Sequence, residues 1–94
     1  MVNKNLTEEY KILEFKYDVQ LLIEGESLDE YAIKEYFTNN FEGDCLLAVG
    51  DKKLTKIHFH TNEPWKVLEY CSSLGEIYDI VIEDMDRQTR GLHG

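Results

Sequence analysis

The sequence is poor in basic residues and in cysteine, and it has no long apolar run. Ten Lys and Arg stand against nineteen Asp and Glu, a formal net charge of −9, whereas sequence-independent binding of nucleic acid needs clustered Lys and Arg. Anionic membrane surfaces are disfavoured by the same charge, and no apolar run approaches the roughly 18–20 residues that span a bilayer. The first residues lack the apolar core of a signal peptide, and two cysteines make no disulfide framework. We therefore expect a cytoplasmic protein that binds neither nucleic acid nor membranes.

Motifs for phosphate binding and acyl transfer are also missing. The sequence contains no Gly-x-x-x-x-Gly-Lys-Ser/Thr loop, no Gly-x-Gly-x-x-Gly turn and no Gly-x-Ser-x-Gly elbow. Acylphosphatases, which share the order of elements derived below, need an arginine in a phosphate-binding loop after the first strand. Here that connection is Glu24-Gly25-Glu26-Ser27, whose acidic side chains repel phosphate. We therefore predict neither catalytic residues nor a nucleotide-binding site.

What the sequence does contain is enough for one small domain. It has 94 residues, of which 43% are hydrophobic and 31% are charged, as in ordinary globular proteins. Both ends of the chain are polar, and no linker or repeat interrupts the middle. We predict a flexible N-terminal segment at 1–10, a single domain at 11–86 and a polar tail at 87–94.

Hydrophobic periodicity and capping residues define the elements of this domain. Residues 11–24 alternate between apolar and polar side chains, which predicts a strand with one buried and one exposed face. Ser27 and Glu30 have the spacing of a capping box that opens a helix. A turn at 50–53 joins two short apolar strands into a hairpin. The elements are predicted at 11–24, 28–39, 45–49, 54–60, 64–74 and 77–83.

The second predicted helix has clear signals at both ends. Thr61 or Asn62 can cap its start, and Pro64 is tolerated only in a first turn. Gly75 is placed to end it. The whole chain then follows the order strand, helix, strand, strand, helix, strand. Two split β-α-β units of this kind interleave most simply as an α+β, ferredoxin-like sandwich, with a four-stranded antiparallel sheet in spatial order 4-1-3-2 and both helices on one face.

This topology assigns each strand residue to a covered or an open face. The predicted helix-covered residues are Phe15, Tyr17, Val19, Leu21, Ile57, Phe59, Ile80 and Ile82. The predicted open face carries Lys16, Asp18, Gln20, Lys56, His58, His60, Asp79, Val81 and Glu83. Both cysteines are expected to be small buried side chains, Cys45 on a strand and Cys71 in a helical stripe.

The His-x-His spacing in the third strand suggests a metal site. His58 and His60 lie on the same side of a strand, about 6–7 Å apart along the chain. Because the first and third strands are neighbours, Asp18 can lie across from this pair and complete a set of two histidines and one carboxylate. Nitrogen and oxygen ligands of this kind suit Zn²⁺ best, although residue type also allows iron or manganese. The alternative is that both histidines only form hydrogen bonds with neighbours or water.

Three segments of the chain follow the sequence patterns of a known family. The stretch from Lys56 to Tyr70, KIHFHTNEPWKVLEY, closely resembles the pattern K-V-H-x-H-T-N-x-P-G-x-V-L-E-Y, with Trp65 at the glycine. The segment from Leu74 to Gln88 is similar to L-G-E-L-x-x-I-x-I-E-N-M-x-x-Q, and that from Phe15 to Ile23 to Y-x-Y-C-T-E-F-L-L. These patterns are those of the FakA family of fatty acid kinases, which are bacterial dihydroxyacetone-kinase-like proteins. The resemblance covers roughly residues 11–90.

The resemblance implies a middle domain without the family's ATP-binding kinase domain. In that family the metal site is built from a histidine pair and the cysteine of the first-strand motif. His58 and His60 match the pair, and Asp18 stands at the cysteine. A carboxylate is a harder ligand than a thiolate and binds zinc more weakly.

We therefore expect a stand-alone, non-catalytic accessory module whose open sheet face binds a divalent metal or a partner. The partner suggested by the resemblance is a kinase subunit or a fatty-acid-carrier subunit, and a homodimer formed with a second copy of the chain is an alternative. Two other functions are compatible with the same residues. One is a small hydrolase that uses Asp18, His58 and His60 around a metal-bound water, and the other is a ligand-sensing ferredoxin-like domain.

Overall fold

Four strands and three helices make up the structure, a computed structural model that describes residues 14–94. The strands are β1 (Tyr17–Glu24), β2 (Gly43–Gly50), β3 (Leu54–Thr61) and β4 (Glu76–Asp84). The helices are α1 (Glu30–Asn40), α2 (Pro64–Leu74) and α3 (Met85–Thr89). The flexible segment predicted at 1–10 and the first part of the predicted first strand, 11–13, lie outside the described residues.

All four strands belong to one antiparallel sheet. Its order is β2-β3-β1-β4, and every neighbouring pair is antiparallel. Counted from the β4 edge, the strands follow in the order 4-1-3-2. The predicted α+β class and four-stranded antiparallel sheet are confirmed. The two central strands are β1 and β3, so each is held by backbone hydrogen bonds along both sides.

The core lies between the helices and one face of the sheet. Odd-numbered residues of β1 and β3 are buried there together with residues of both long helices, so the helices cover the same face. Phe37 of α1 meets Phe59 of β3 edge to face, with ring centroids 5.0 Å apart. Burial of each large apolar side chain contributes roughly 1.5–3 kcal/mol. The buried hydrophobic core consists of Val19, Leu21, Ile23, Leu28, Ile33, Phe37, Ala48, Ile57, Phe59, Val67 and Cys71.

Helix α1 begins later than predicted and has a different cap. Asp29 is the capping residue, and its Oδ1 atom accepts hydrogen bonds from the backbone amides of Tyr31 and Ala32. The predicted capping box of Ser27 and Glu30 is therefore wrong. The carboxylate of Glu30 instead accepts from the backbone N–H of Gly50, at 3.0 Å, and so ties α1 to the end of β2. An Asp cap satisfies the same unpaired amides as a Ser cap, and two candidates two residues apart look equivalent in a sequence.

Strand β2 has a bulge that overturns the expected burial of Cys45. The pairing of β2 with β3 shifts register between Asp44 and Leu47, and Cys45 adopts a left-handed backbone conformation with φ of 55°. A bulge sets two residues opposite one and reverses the alternation beyond it. Cys45 is consequently exposed, and the core residue of this strand is Ala48.

Strand β4 carries a second bulge, and it corrects the predicted faces there. The pairing of β1 with β4 shifts register between Gln20 and Leu22, next to Asp79 with φ of 51°. Ile77 and Ile82, on either side of the bulge, both pack against the core. Ile80, predicted under the helices, is 43% exposed.

The remaining differences concern the ends of the domain. Strand β1 begins at Tyr17, and both Tyr17 and Phe15 are half-buried rather than core residues. The segment predicted to be a polar tail overlaps helix α3, whose start is capped by Asp84 as it accepts from the amide of Arg87. Among the helices of residues 14–94, none is long and apolar enough to cross a membrane.

Candidate metal centre

Asp18, His58 and His60 lie together at the centre of the open sheet face. Strand β1 runs antiparallel to β3, and its register pairs Asp18 with His60 and Gln20 with His58. Even-numbered residues of both strands point away from the helices, because the odd-numbered ones fill the core. The three side chains are half-buried. The structure therefore brings together all three residues of the predicted set.

The donor atoms of these three residues converge on one small volume. The Oδ1 atom of Asp18 is 2.7 Å from Nε2 of His58 and 3.8 Å from Nε2 of His60. The two Nε2 atoms are 3.3 Å apart. In a tetrahedral zinc site with bonds of about 2.0–2.1 Å, neighbouring donor atoms are about 3.3–3.4 Å apart. The separations in the trio average close to that value, so small side-chain rotations suffice to surround an ion.

Asp18 also has an unsatisfied acceptor at this point. Its Oδ1 atom is shielded from solvent and makes no hydrogen bond within residues 14–94, despite its closeness to His58. The other oxygen, Oδ2, accepts from Nε2 of Gln20 at 3.4 Å. A buried acceptor without a partner costs about 1–3 kcal/mol. A bound cation would satisfy it, so the residues present fit a divalent metal.

A second group of potential ligands touches the other side of His60. Asp44 pairs with His60 across β2 and β3, and its Oδ1 atom lies 3.5 Å from Nδ1 of the ring. Cys45 follows Asp44, and the carboxylate, thiol and ring nitrogen of this group all lie within 4.8 Å of one another. Desolvation and the negative charge of Asp44 raise the pKa of the Cys45 thiol.

Sequence reasoning missed Asp44 and Cys45 as functional candidates. The predicted elements place Asp44 in a turn and Cys45 in the core, since regular alternation along β2 leaves no other choice. The useful signal is the expected strand order, which already puts β2 beside β3 and therefore beside His60. A Cys next to an Asp on that neighbouring strand is a candidate ligand pair.

The residues that follow His60 hold the corner of the site together. Thr61 Oγ1 donates to the carbonyl of Glu42 and accepts from the backbone N–H of Glu63. Asn62 does not cap α2 as predicted. Its Oδ1 atom accepts from the backbone N–H of Lys16 at 2.8 Å, and its Nδ2 donates to the carbonyl of Glu14 at 3.1 Å.

Comparison with known proteins gives the same family along nearly the whole described chain. The family model of the FakA-like middle domain, from the fatty acid kinases, matches residues 14–92. Protein YloV of Bacillus subtilis (strain 168) is 46% identical over 46 residues, which are 49% of this chain and 8% of that protein. An uncharacterized protein of Staphylococcus aureus (strain USA300) is 40% identical over 48 residues, 51% of this chain and 9% of that protein.

The chain thus spans less than a tenth of the length of the curated relatives that it matches. The family match is to a middle domain, and it includes all three residues of the candidate metal centre. The resemblance found in the sequence is confirmed. This chain belongs to the FakA-like middle-domain family of the fatty acid kinases.

Proposed function

We propose that this chain is a non-catalytic, ferredoxin-like accessory module that binds one Zn²⁺ ion through Asp18, His58 and His60. The observation that carries the proposal is the convergence of two ring nitrogens on the buried, unsatisfied Oδ1 atom of Asp18. The family match supports the accessory role, because it covers a middle domain and not a kinase domain.

The donor set favours zinc and gives the ion a structural role. Two imidazole nitrogens and one carboxylate oxygen are ordinary zinc ligands, and a fourth position stays open for water or a partner's side chain. Asp18 comes from β1, whereas both histidines come from β3. A bound ion would therefore link the two central strands and remove the uncompensated charge of Asp18 from the sheet surface.

The open sheet face around this centre is the proposed docking surface for another protein chain. Leu22 and Tyr78 are register neighbours on this face, and Val81 pairs with Gln20 beside the metal ligands. Tyr78 and Val81 are 36% and 46% exposed. Family membership suggests that the partner is a kinase subunit or a fatty-acid-carrier subunit. A second copy of this chain is the alternative that the same surface would suit.

Calorimetric titration with Zn²⁺ tests the metal site. The purified chain should bind one ion with micromolar or tighter affinity, and His58→Ala should weaken binding at least 100-fold, on the order of the largest losses seen when only outer-shell partners are removed. His93→Ala is the matched control, since His93 lies in the exposed C-terminal segment, away from the site. Absence of binding by the unmodified chain, or equal losses in both variants, would contradict the proposal.

Titration with ATP and Mg²⁺ tests the accessory role in the same instrument. No heat of binding is expected, because the chain has no glycine-rich phosphate loop and its first βα connection is acidic. The Zn²⁺-loaded chain should likewise leave ATP and a simple phosphate ester intact. Turnover that disappears in His58→Ala would overturn the non-catalytic role and favour the hydrolase alternative.

A further inference from the structure

The bulge in β2 places a thiol beside a ring nitrogen that the first site does not use. Asp44 pairs directly with His60, and the register shift after it turns the backbone of Cys45 into the left-handed region, with φ of 55°. Cys45 is exposed as a result, instead of pointing into the core. The thiol therefore stands on the sheet surface next to the carboxylate of Asp44.

Three different metal-ligand types meet at this point. The Oδ1 atom of Asp44 lies 3.5 Å from Nδ1 of His60, close to the spacing of neighbouring donors around a tetrahedral ion. Cys45 Sγ lies within 4.8 Å of both other donors. Rotation about the side-chain bonds of the exposed Asp44 and Cys45 can close the remaining gap, because neither side chain is locked in the core.

His60 belongs to both clusters, but through different atoms. Its Nε2 atom faces Asp18 and His58, whereas its Nδ1 atom faces Asp44. A neutral imidazole has one nitrogen with a free lone pair and one that carries a proton. The ring can therefore serve as a ligand to only one of the two clusters at a time.

We propose that Asp44, Cys45 and His60 form a second metal site, selective for thiophilic ions, that competes with the first site for His60. Binding there breaks the S–H bond of Cys45, releases the proton to the buffer and forms a metal–sulfur bond, with no change of oxidation state. Soft thiolate ligands favour ions such as Cd²⁺ and Zn²⁺ over Mg²⁺, Ca²⁺ and Mn²⁺, which prefer oxygen donors. The first site, with nitrogen and oxygen donors only, has no thiolate.

Cd²⁺ is the probe that separates the two sites. Cadmium bound to a thiolate absorbs in the ultraviolet by charge transfer from sulfur, whereas cadmium bound only to nitrogen and oxygen does not. Titration of the full chain with Cd²⁺, in a reductant that contains no thiol, should give this absorption with an end point of one ion per chain. Cys45→Ser should abolish the absorption, and Cys71→Ala is the matched control that should keep it.

Histidine variants separate this proposal from the proposed function. His58→Ala disables the first site and should keep the cadmium–thiolate absorption, whereas His60→Ala should lose it. Failure of the first site would show as weak Zn²⁺ binding in Cys45→Ser with the absorption intact in the unmodified chain. The second site is overturned if the unmodified chain shows no charge-transfer absorption or if Cys45→Ser retains it. Two cadmium ions per chain would overturn the competition for His60.

Discussion

Cys71 and Cys45 place the protein's two thiols in opposite environments. Cys71 has none of its surface exposed, and burial raises the pKa of its thiol from 9.0 to about 12. Cys45 lies on the sheet surface beside Asp44. Since the thiolate and not the thiol is the reactive and metal-binding form, only Cys45 is available for chemistry in the folded protein.

The buried thiol makes stability depend on alkaline pH. The folded state keeps the proton of Cys71 up to about pH 12, whereas the unfolded chain releases it near 9.0. Its contribution is therefore complete below pH 9.0 and declines as the pH rises toward 12, by up to about 1.4 kcal/mol per pH unit. Urea unfolding at several alkaline pH values should show a shallower decline in Cys71→Ala than in the unmodified chain.

Cys45→Ala serves as the control for this measurement. The thiol of Cys45 is already exposed when the protein is folded, so its removal should leave most of the alkaline decline unchanged. Cavity formation in Cys71→Ala lowers stability equally at all pH values and does not alter the slope. Identical slopes in the unmodified chain and Cys71→Ala would show that the core does not hold this proton.

Residue-level prediction succeeded where the strands are regular. Asp18, His58 and His60 could be placed on one face because β1 and β3 alternate without interruption and pair in a simple register. Cys45 could not be placed, since a single extra residue in β2 reverses the side to which a side chain points. Cysteine is not a residue that favours a left-handed backbone, so nothing in its type announces the bulge.

At the scale of elements, Asn62 connects the end of β3 to the entry of β1. Its side chain takes both backbone hydrogen bonds at Lys16 and Glu14, and the carbonyl of Lys16 accepts from the amide of Met85 at the start of α3. Three separate chain segments therefore meet one residue beyond the metal-ligating strand. This corner sets where β1 begins, two residues before Asp18.

Loss of the Asn62 side chain should loosen this corner specifically. Two hydrogen bonds disappear in Asn62→Ala, each with a net value of about 0.5–1.5 kcal/mol, so the free energy of unfolding should fall by about 1–2 kcal/mol. Hydrogen exchange at the amide of Lys16 should become faster, because Asn62 Oδ1 is its acceptor.

Asn40→Ala provides a matched comparison for the corner. Asn40 makes one side-chain hydrogen bond, to the carbonyl of Tyr36 within its own helix. Its removal should cost less stability and leave exchange at Lys16 unchanged. If exchange at Lys16 is equally fast in the unmodified chain and in Asn62→Ala, Asn62 is not what holds the entry of β1.

The elements themselves could be predicted better than their details. All four strands and both long helices follow from periodicity and turn residues, because those signals extend over many positions. Gly75 does follow α2, but its φ of 172° is ordinary extended backbone. It is glycine because a Cβ there would lie 2.2 Å from the carbonyl oxygen of Glu24, a contact between distant segments that no local pattern encodes.

For the whole molecule, excess negative charge and the metal centre act on the same equilibrium. The net charge of −9 repels itself in the folded state, and any added salt screens part of that repulsion. An ion bound between Asp18 and the two histidines would do more, since the unfolded chain has no such preformed cluster. Metal binding should therefore stabilise the fold by mass action, beyond the effect of screening.

Thermal unfolding with two divalent ions separates these effects. Zn²⁺ at about 100 times its dissociation constant adds about 2.7 kcal/mol, which for a domain of this size raises Tm by about 10–20 °C. Mg²⁺ at the same concentration supplies equal screening but suits the nitrogen donors poorly, so it should raise Tm only slightly. A chelator should reverse the Zn²⁺ effect, and His58→Ala should respond to both ions alike. Equal shifts with Zn²⁺ and Mg²⁺ in the unmodified chain would mean that the ions act on net charge alone and that Asp18, His58 and His60 hold no metal.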